Sequence, residues 1–274
     1  MSYKSFPCIT LTSDYGLKDY YLAAAKGAFI NQFEKDEYFN VVDISHSIEP
    51  FHLAQAAYII ASAFLNFPEG TVHCLGLHVG NKRHIAALYK GHYFIAEDNG
   101  LLSLVFQTKP DAVVEINRIK TDNILSNFAF KELYPKAACH MARGGAMELL
   151  GTRIDEEYEQ KMSLKPTVSN EGISGQVIYV DRIGNVITNI TRNLFNDNLK
   201  GRKYRIKYSI EINQINQIHD NYFNVPIGEK VALFNDMGHL EIAINLGSNA
   251  TSGGANQLFG LQVGSTIRVE FYVD

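Results

Sequence analysis

The stretch PCITLTSDYGLKDYYLAAAKGAFINQF, Pro7 to Phe33, decides the fold. PCITLTS (Pro7–Ser13) is short, rich in β-branched residues and bounded by turn formers, the pattern of a buried strand. In DYYLAAAKGAFINQF (Asp19–Phe33), Leu22, Ala25, Phe29 and Phe33 recur at helical spacing. The alternation continues. NVVDIS (Asn40–Ser45) reads as a strand, and HLAQAAYIIASAFLNF (His52–Phe67) puts Leu53, Ala56, Ala57, Ile60 and Phe64 on one helical stripe. GTVHCLGLHV, IAALYK and HYFIAE follow as strands, with HYFIAE closing at Glu97. KELYPKAACHMARGGAMELL (Lys131–Leu150) is a last helix, which tolerates Pro135 only near its start. Strands and helices in alternation predict a largely parallel sheet covered on both faces.

The character then changes. TRIDEEYEQKMSLKPTVSNE is polar and charged and carries Pro166, and beyond it short strands alternate with turn signals. SGQVIYVDRIGNVITNI, RKYRIKYSIEIN, KVALFNDMGHLEIAINL and STIRVEFYVD show little helical periodicity, so a small antiparallel β-barrel is expected. The reading is an α/β domain over residues 1–160, a linker over 161–172 and a β-barrel domain over 173–274.

With 274 residues, 46% hydrophobic and 20% charged, the chain has the composition of a globular protein large enough for two cores. A net charge of −4 gives no long-range attraction to nucleic acid or an anionic membrane. The longest apolar run, Leu53–Phe67, is broken by Gln55 and Ser62 and is too short to span a bilayer. The start, MSYKSFPCIT, lacks the apolar core of a secretory signal. Three widely spaced cysteines argue against a disulfide framework or a zinc site, and the nine histidines show no metal-binding spacing. A cytoplasmic protein is expected.

In open α/β sheets, ligands gather at the carboxyl ends of the strands. Asp14 follows the first strand directly, where a carboxylate can accept hydrogen bonds from a ribose diol or cap the helix that starts near Asp19. Asp19 itself leans toward capping. DNGLLS (Asp98–Ser103) reads as an Asx-type helix start and DRIGN (Asp181–Asn185) as a hairpin turn. No GxGxxG, Walker loop or GxSxG occurs. From the residues alone, the reading stops at a ligand crevice near Asp14.

Several stretches together resemble one family. LTSDYGLKDYYLAAAKG is similar to the opening LTDFG…D.YVG.MKG of the S-adenosyl-L-methionine hydroxide adenosyltransferases, relatives of fluorinases and chlorinases. DISHSIEPFHLAQAAYIIASAFLNFPEGTVH resembles DITH.I.P.D…AA…L…..FP.GTVH. FIAEDNGLLS resembles F.APDNGLLS, VDRIGNVITNI resembles VDRFGN.VTNI, and GHLEIAINLGSNA resembles G.LEIA…GNAA. The motifs keep the family's order and cover nearly the whole chain. The resemblance implies an N-terminal α/β domain, a C-terminal β-barrel and a homotrimer whose site lies between neighbouring subunits. It also implies attack of a water-derived hydroxide on C5′ of the substrate, giving adenosine and methionine without a metal or organic cofactor.

Carried over by position, Asp14 would hold the ribose hydroxyls, Asp19 would face the methionine portion and Asp181 its ammonium. Asn185 would bond the adenine edge with the backbone around Asn249 and Ala250, and Phe128 would line the adenosyl pocket. The family's hydrolases aim their water with an Asp-Arg-His trio carried by DPGVG..R and FHGRD. Here the aligned stretches are GLHVGNKR and FAFKE. Val79, Gly80 and Arg83 match, but Gly76 stands in the aspartate's place, Ala129 in the histidine's, and Phe130 where a small residue belongs. His78 is the one substitute partner for Arg83 that this stretch offers. Asp236 stands where members often have Ser and Tyr21 where the fluorinase type has Ser; a carboxylate at Asp236 would disfavour methionine's own carboxylate. Two expectations result: a hydrolase with an eroded trio, or a protein of the same fold that binds a nucleoside without turning it over.

Overall fold

A computed structural model describes residues 7–37, 40–77, 80, 83–120, 128–162, 165–208 and 214–273. The chain divides into two compact units, Met1–Met162 and Ser163–Asp274.

In the first unit, strands β1 (Cys8–Ser13), β2 (Asn40–Ser45), β3 (Val72–Gly76), β4 (His84–Tyr89), β5 (His92–Glu97), β6 (Ala112–Ile116) and β7 (Gly151–Arg153) form one sheet. Their order is β2-β1-β3-β5-β4-β6-β7. The β2-β1-β3-β5 part is parallel, and β4, β6 and β7 extend it antiparallel. Strands β6 and β7 were not foreseen from the sequence. Every residue of β1 is buried, because helices cover both faces of the sheet at its centre and alternation has no solvent side to mark.

One face carries Ile9, Leu11, Cys74, Ala86 and Ile95. It packs against α1 (Tyr21–Ile30), and the last two helices of the unit come from the region read as a single helix. The opposite face, with Leu75, Ile85, Ala87 and Phe94, lies under α2 (Leu53–Ala63) and α3 (Leu101–Val105). The expected stripe Ala56, Ala57, Ile60 and Phe64 is the buried one. Residues 129–150 split into α4 (Ala129–Glu132), α5 (Tyr134–Ala142) and a 3-10 turn (Met147–Leu150). Pro135 sits in the first turn of α5, where a missing N–H costs nothing.

The second unit contains β8 (Thr167–Ser169), β9 (Gly172–Val180), β10 (Val186–Thr191), α6 (Arg192–Leu199), β11 (Lys203–Tyr208), β12 (Gln214–Ile215), β13 (Ile218–His219), β14 (Lys230–Phe234), β15 (His239–Ile244), α7 (Ala255–Phe259) and β16 (Thr266–Tyr272). The strands run β12-β11-β16-β9-β10-β15-β14-β13, a nearly closed barrel-like sheet that is antiparallel except between β13 and β14. Strand β8 lies inside the stretch read as a linker and pairs with β9. Helix α6 is capped by the Thr191 side chain, which accepts from the Leu194 N–H. Among the described residues, no helix is long and apolar enough to cross a membrane.

Candidate active site

Asp14 stands at the carboxyl end of β1, half-buried, with Oδ2 accepting the Phe51 N–H at 2.9 Å. The loop behind it is pinned from β2. Gly16, with φ +69°, donates its N–H to the His46 carbonyl at 2.8 Å. That left-handed backbone favours glycine. His46 Nδ1 shares a 2.7 Å hydrogen bond with the buried Ser13 hydroxyl, and its Nε2 lies 3.1 Å from Asp43. Burial holds the His46 pKa below its ordinary value despite the nearby carboxylate. Neither aspartate caps α1: the N-cap is Tyr20, without a side-chain hydrogen bond, and Asp19 is exposed. The capping reading of Asp19 is therefore corrected, since the helix begins two residues beyond it.

An aromatic wall adjoins Asp14. The Tyr15 ring meets Phe128 edge-on at 5.3 Å and Phe130 at 5.6 Å, while Tyr21 meets Phe128 at 5.8 Å. Phe130 is 2% exposed and also packs on Phe29 and Tyr134. A Cβ placed on Gly76 would meet three atoms of the Phe130 ring at 2.7–2.9 Å. The ring thus fills the space into which a side chain at 76 would project, and the two departures from the family pattern form one packing unit.

Arg83 keeps a carboxylate, though from an unexpected place. Its Nε donates to Asp98 Oδ2 at 2.7 Å, its Nη2 bonds the same oxygen, and Nη2 also donates to the Glu157 carbonyl at 2.7 Å. Asp98 is 1% exposed, and its other oxygen accepts the Glu159 N–H at 2.8 Å. The Asx role read into this turn belongs to Asn99, whose Oδ1 accepts the Leu101 N–H at the start of α3. Arg83 and Asp98 thus form an ion pair through two guanidinium nitrogens. Val79 and His78, the substitute partner read from the sequence, lie outside the described residues.

Beside this pair, sequence reasoning missed a second polar group. Glu97, the last residue of β5, is 2% exposed on the Phe130 side of the sheet. His84 Nδ1 lies 3.2 Å from the Tyr134 hydroxyl. The Tyr134 pKa is pushed well up by complete burial, with the charges of Tyr15, Cys74 and Glu97 adding to it. The Tyr15 hydroxyl is likewise pushed up, by burial first and then by Asp14 and Glu97.

In the second unit, the other carried-over residues converge. Asp181 Oδ1 accepts the N–H groups of Ile183, Gly184 and Asn185 at 2.8–2.9 Å, and Oδ2 accepts Asn185 Nδ2 at 3.0 Å. Asn249 joins this turn, donating its N–H to the Ile183 carbonyl at 2.9 Å, while Ala250 is exposed beside it. Gly184, with φ +102°, leaves no room for a Cβ: Asn249 Oδ1 and Asn256 Oδ1 would both sit at 2.5 Å. Asn256 has no distinguishing sequence signal, yet its buried Oδ1 has no hydrogen-bond partner among the described residues. Asp236 and Asp181 both add negative charge near Glu241, whose pKa is raised chiefly by burial and whose carboxylate accepts from Tyr222 at 2.6 Å.

The first unit carries a carboxylate and an aromatic wall at its strand ends, and the second carries an Asx-locked loop. The chain matches the SAM hydroxide adenosyltransferase N-terminal domain over residues 9–151 and the C-terminal domain over 175–268. It belongs to the SAM hydroxide adenosyltransferase family. A Thermus thermophilus (R)-S-adenosyl-L-methionine hydrolase is 29% identical, covering 94% of this chain and 97% of that protein. A Methanocaldococcus jannaschii protein of the same name is 31% identical over 67% of each chain. A crystal structure of a conserved protein from Thermotoga maritima superposes with a TM-score of 0.81 at 29% identity, covering 96% of this chain and 99% of that one.

Proposed function

We propose that this chain is an adenosine-forming hydrolase of (R)-S-adenosyl-L-methionine, in which water displaces methionine from C5′. The observation that carries the reading is the family match across both units, together with Asp14 held half-buried at the end of β1 beside Tyr15 and Phe128. A sulfonium is a good leaving group, so the protein has chiefly to hold the nucleoside, exclude bulk water and align one water molecule. Asp14 binds the ribose diol and Phe128 lines the adenosyl pocket. Asp181, Asn185, Asn249 and Ala250 take the ammonium and adenine edge, Asp19 faces the methionine portion, and Arg83 serves the water site.

A homotrimer, as the resemblance implies, belongs to the same reading. Exposed Leu17, Tyr20 and Phe51 around Asp14 support it, as apolar side chains that a subunit contact would cover. Three unpaired buried cysteines, Cys8, Cys74 and Cys139, support a reducing compartment such as the cytoplasm.

The test is incubation of purified protein with (R)-S-adenosyl-L-methionine, following adenosine and methionine by chromatography. Formation of both above the uncatalysed rate is expected, and their absence refutes the assignment. The second reading, nucleoside binding without turnover, draws on the Phe130 ring in the volume beside Gly76. It predicts calorimetric binding of adenosine, lost in Asp14→Ala, with no product from S-adenosyl-L-methionine.

A further inference from the structure

We propose that Glu97 is the carboxylate that accepts the proton of the attacking water, with His84 and Tyr134 as its positioning partners. This rests on the hydrolase reading above and concerns the water site itself.

Sheet register sets the geometry. Ser13 pairs with Gly76, Leu75 with Ala96, and His84 with Glu97. One row therefore crosses the carboxyl ends of β1, β3 and β5 and the start of β4: Ser13, Gly76, Glu97, His84. Side chains along such a row share a face. Two residues back, Cys74 and Ile95 lie on the face packed against Phe130 and Tyr134, so Gly76, Glu97 and His84 point there too. Neighbouring strands lie roughly 4.8 Å apart. A carboxylate on β5 at this level stands one strand over from Gly76, on the face that carries the Phe130 ring. Glu97 also stands where the family stretch F.APDNGLLS, as the resemblance gives it, has a proline.

The surroundings fit a proton acceptor. Glu97 and Tyr134 are each 2% exposed, which removes competing solvent. Tyr134 bonds His84 Nδ1 at 3.2 Å, with the rings edge-on at 5.5 Å, fixing both groups. Tyr15, next to Asp14, packs edge-on against Phe130, which packs in turn on Tyr134. Arg83 is committed to Asp98 and Glu157, so it contributes fixed positive charge one residue before His84. In the step itself, the water oxygen forms the bond to C5′ while the C5′–S bond breaks. Its electron pair goes to sulfur, converting the sulfonium to methionine's thioether, and the water proton passes to Glu97.

The test separates chemistry from binding. In wild type, Glu97→Gln and Tyr134→Phe, kcat for adenosine formation and the calorimetric Kd for S-adenosyl-L-methionine are measured together. Glu97→Gln is expected to lower kcat about 10²–10⁴-fold, the usual contribution of a positioned acid or base, with Kd unchanged within about threefold. Tyr134→Phe lowers kcat less, again without weakening binding. Glu97→Ala, with a cavity in place of the acid, regains activity with added formate. A wild-type enzyme that turns over while Glu97→Gln retains its kcat overturns this proposal and leaves the hydrolase reading intact. So does a Glu97→Gln variant whose kcat and binding fall together. A wild type that forms no adenosine overturns both.

Discussion

Replacing Gly76 by Ala and Phe130 by Ala, singly and together, probes the packing unit on which the account of the altered water site depends. The added Cβ at 76 falls 2.7 Å from the Phe130 ring. The backbone there lies outside the left-handed region, so sterics alone set the cost. Overpacking of this kind costs about 1–3 kcal/mol. Phe130→Ala removes a ring that is 2% exposed and packed on Phe29, Tyr15 and Tyr134, at about 3–5 kcal/mol. In the double variant, the new methyl enters space the ring has left, and the cost of Gly76→Ala falls toward zero. The coupling is then about 1–3 kcal/mol in favour of the double variant. At ~2–4 °C per kcal/mol for a unit of this size, urea and thermal unfolding of the four proteins resolve it. Costs that simply add, within about 0.5 kcal/mol, refute the idea that Phe130 occupies the volume beside Gly76.

Three further outcomes follow from the same geometry. His73, fully buried and bonded to Thr10 and His92, has its pKa pushed down to about 3 by burial and then by His92. The unfolded chain binds that proton near pH 6.5, so this stability is fully present above that value and is lost as pH falls toward 3. Between pH 6.5 and pH 5 the loss from His73 is about 2 kcal/mol, and urea midpoints that stay level or rise on acidification contradict it. Arg83→Ala removes the guanidinium from the buried Asp98 carboxylate and costs about 3 kcal/mol, readable as a Tm drop of several degrees; an unchanged Tm shows the ion pair to be idle. Asp14→Ala raises the Kd for S-adenosyl-L-methionine about 10–100-fold, the worth of a charge-assisted hydrogen bond, and unaltered calorimetric affinity removes Asp14 from the ribose site.

How much of this was legible depends on what each residue's neighbours are. Strands β1 and β2 were readable because β-branched runs between turn formers have few other solutions. So was the helix stripe of α2, where period alone picks out the buried residues. Strands β6 and β7 escaped, since a five-residue and a three-residue edge extension carry too few residues to show a period. Asp98 looked like a turn former because its partner, Arg83, is fifteen residues away in sequence and meets it only when β4 pairs with β5. Glu97 escaped for a related reason: its meaning lies in the row it shares with Gly76 and His84, which only the register creates. Asp181, Asn185 and Asn249 were traceable through resemblance, whereas Asn256 touches their loop only through the fold. The Gly76 and Phe130 substitutions were visible separately. That one fills the space of the other required the structure.

The most direct test uses isotopically labelled solvent. When (R)-S-adenosyl-L-methionine is turned over in water enriched in oxygen-18, mass spectrometry should find the label in the 5′-hydroxyl of adenosine and none in methionine, because water attacks carbon and sulfur leaves. Adenosine carrying unlabelled oxygen, or none formed at all, contradicts the account.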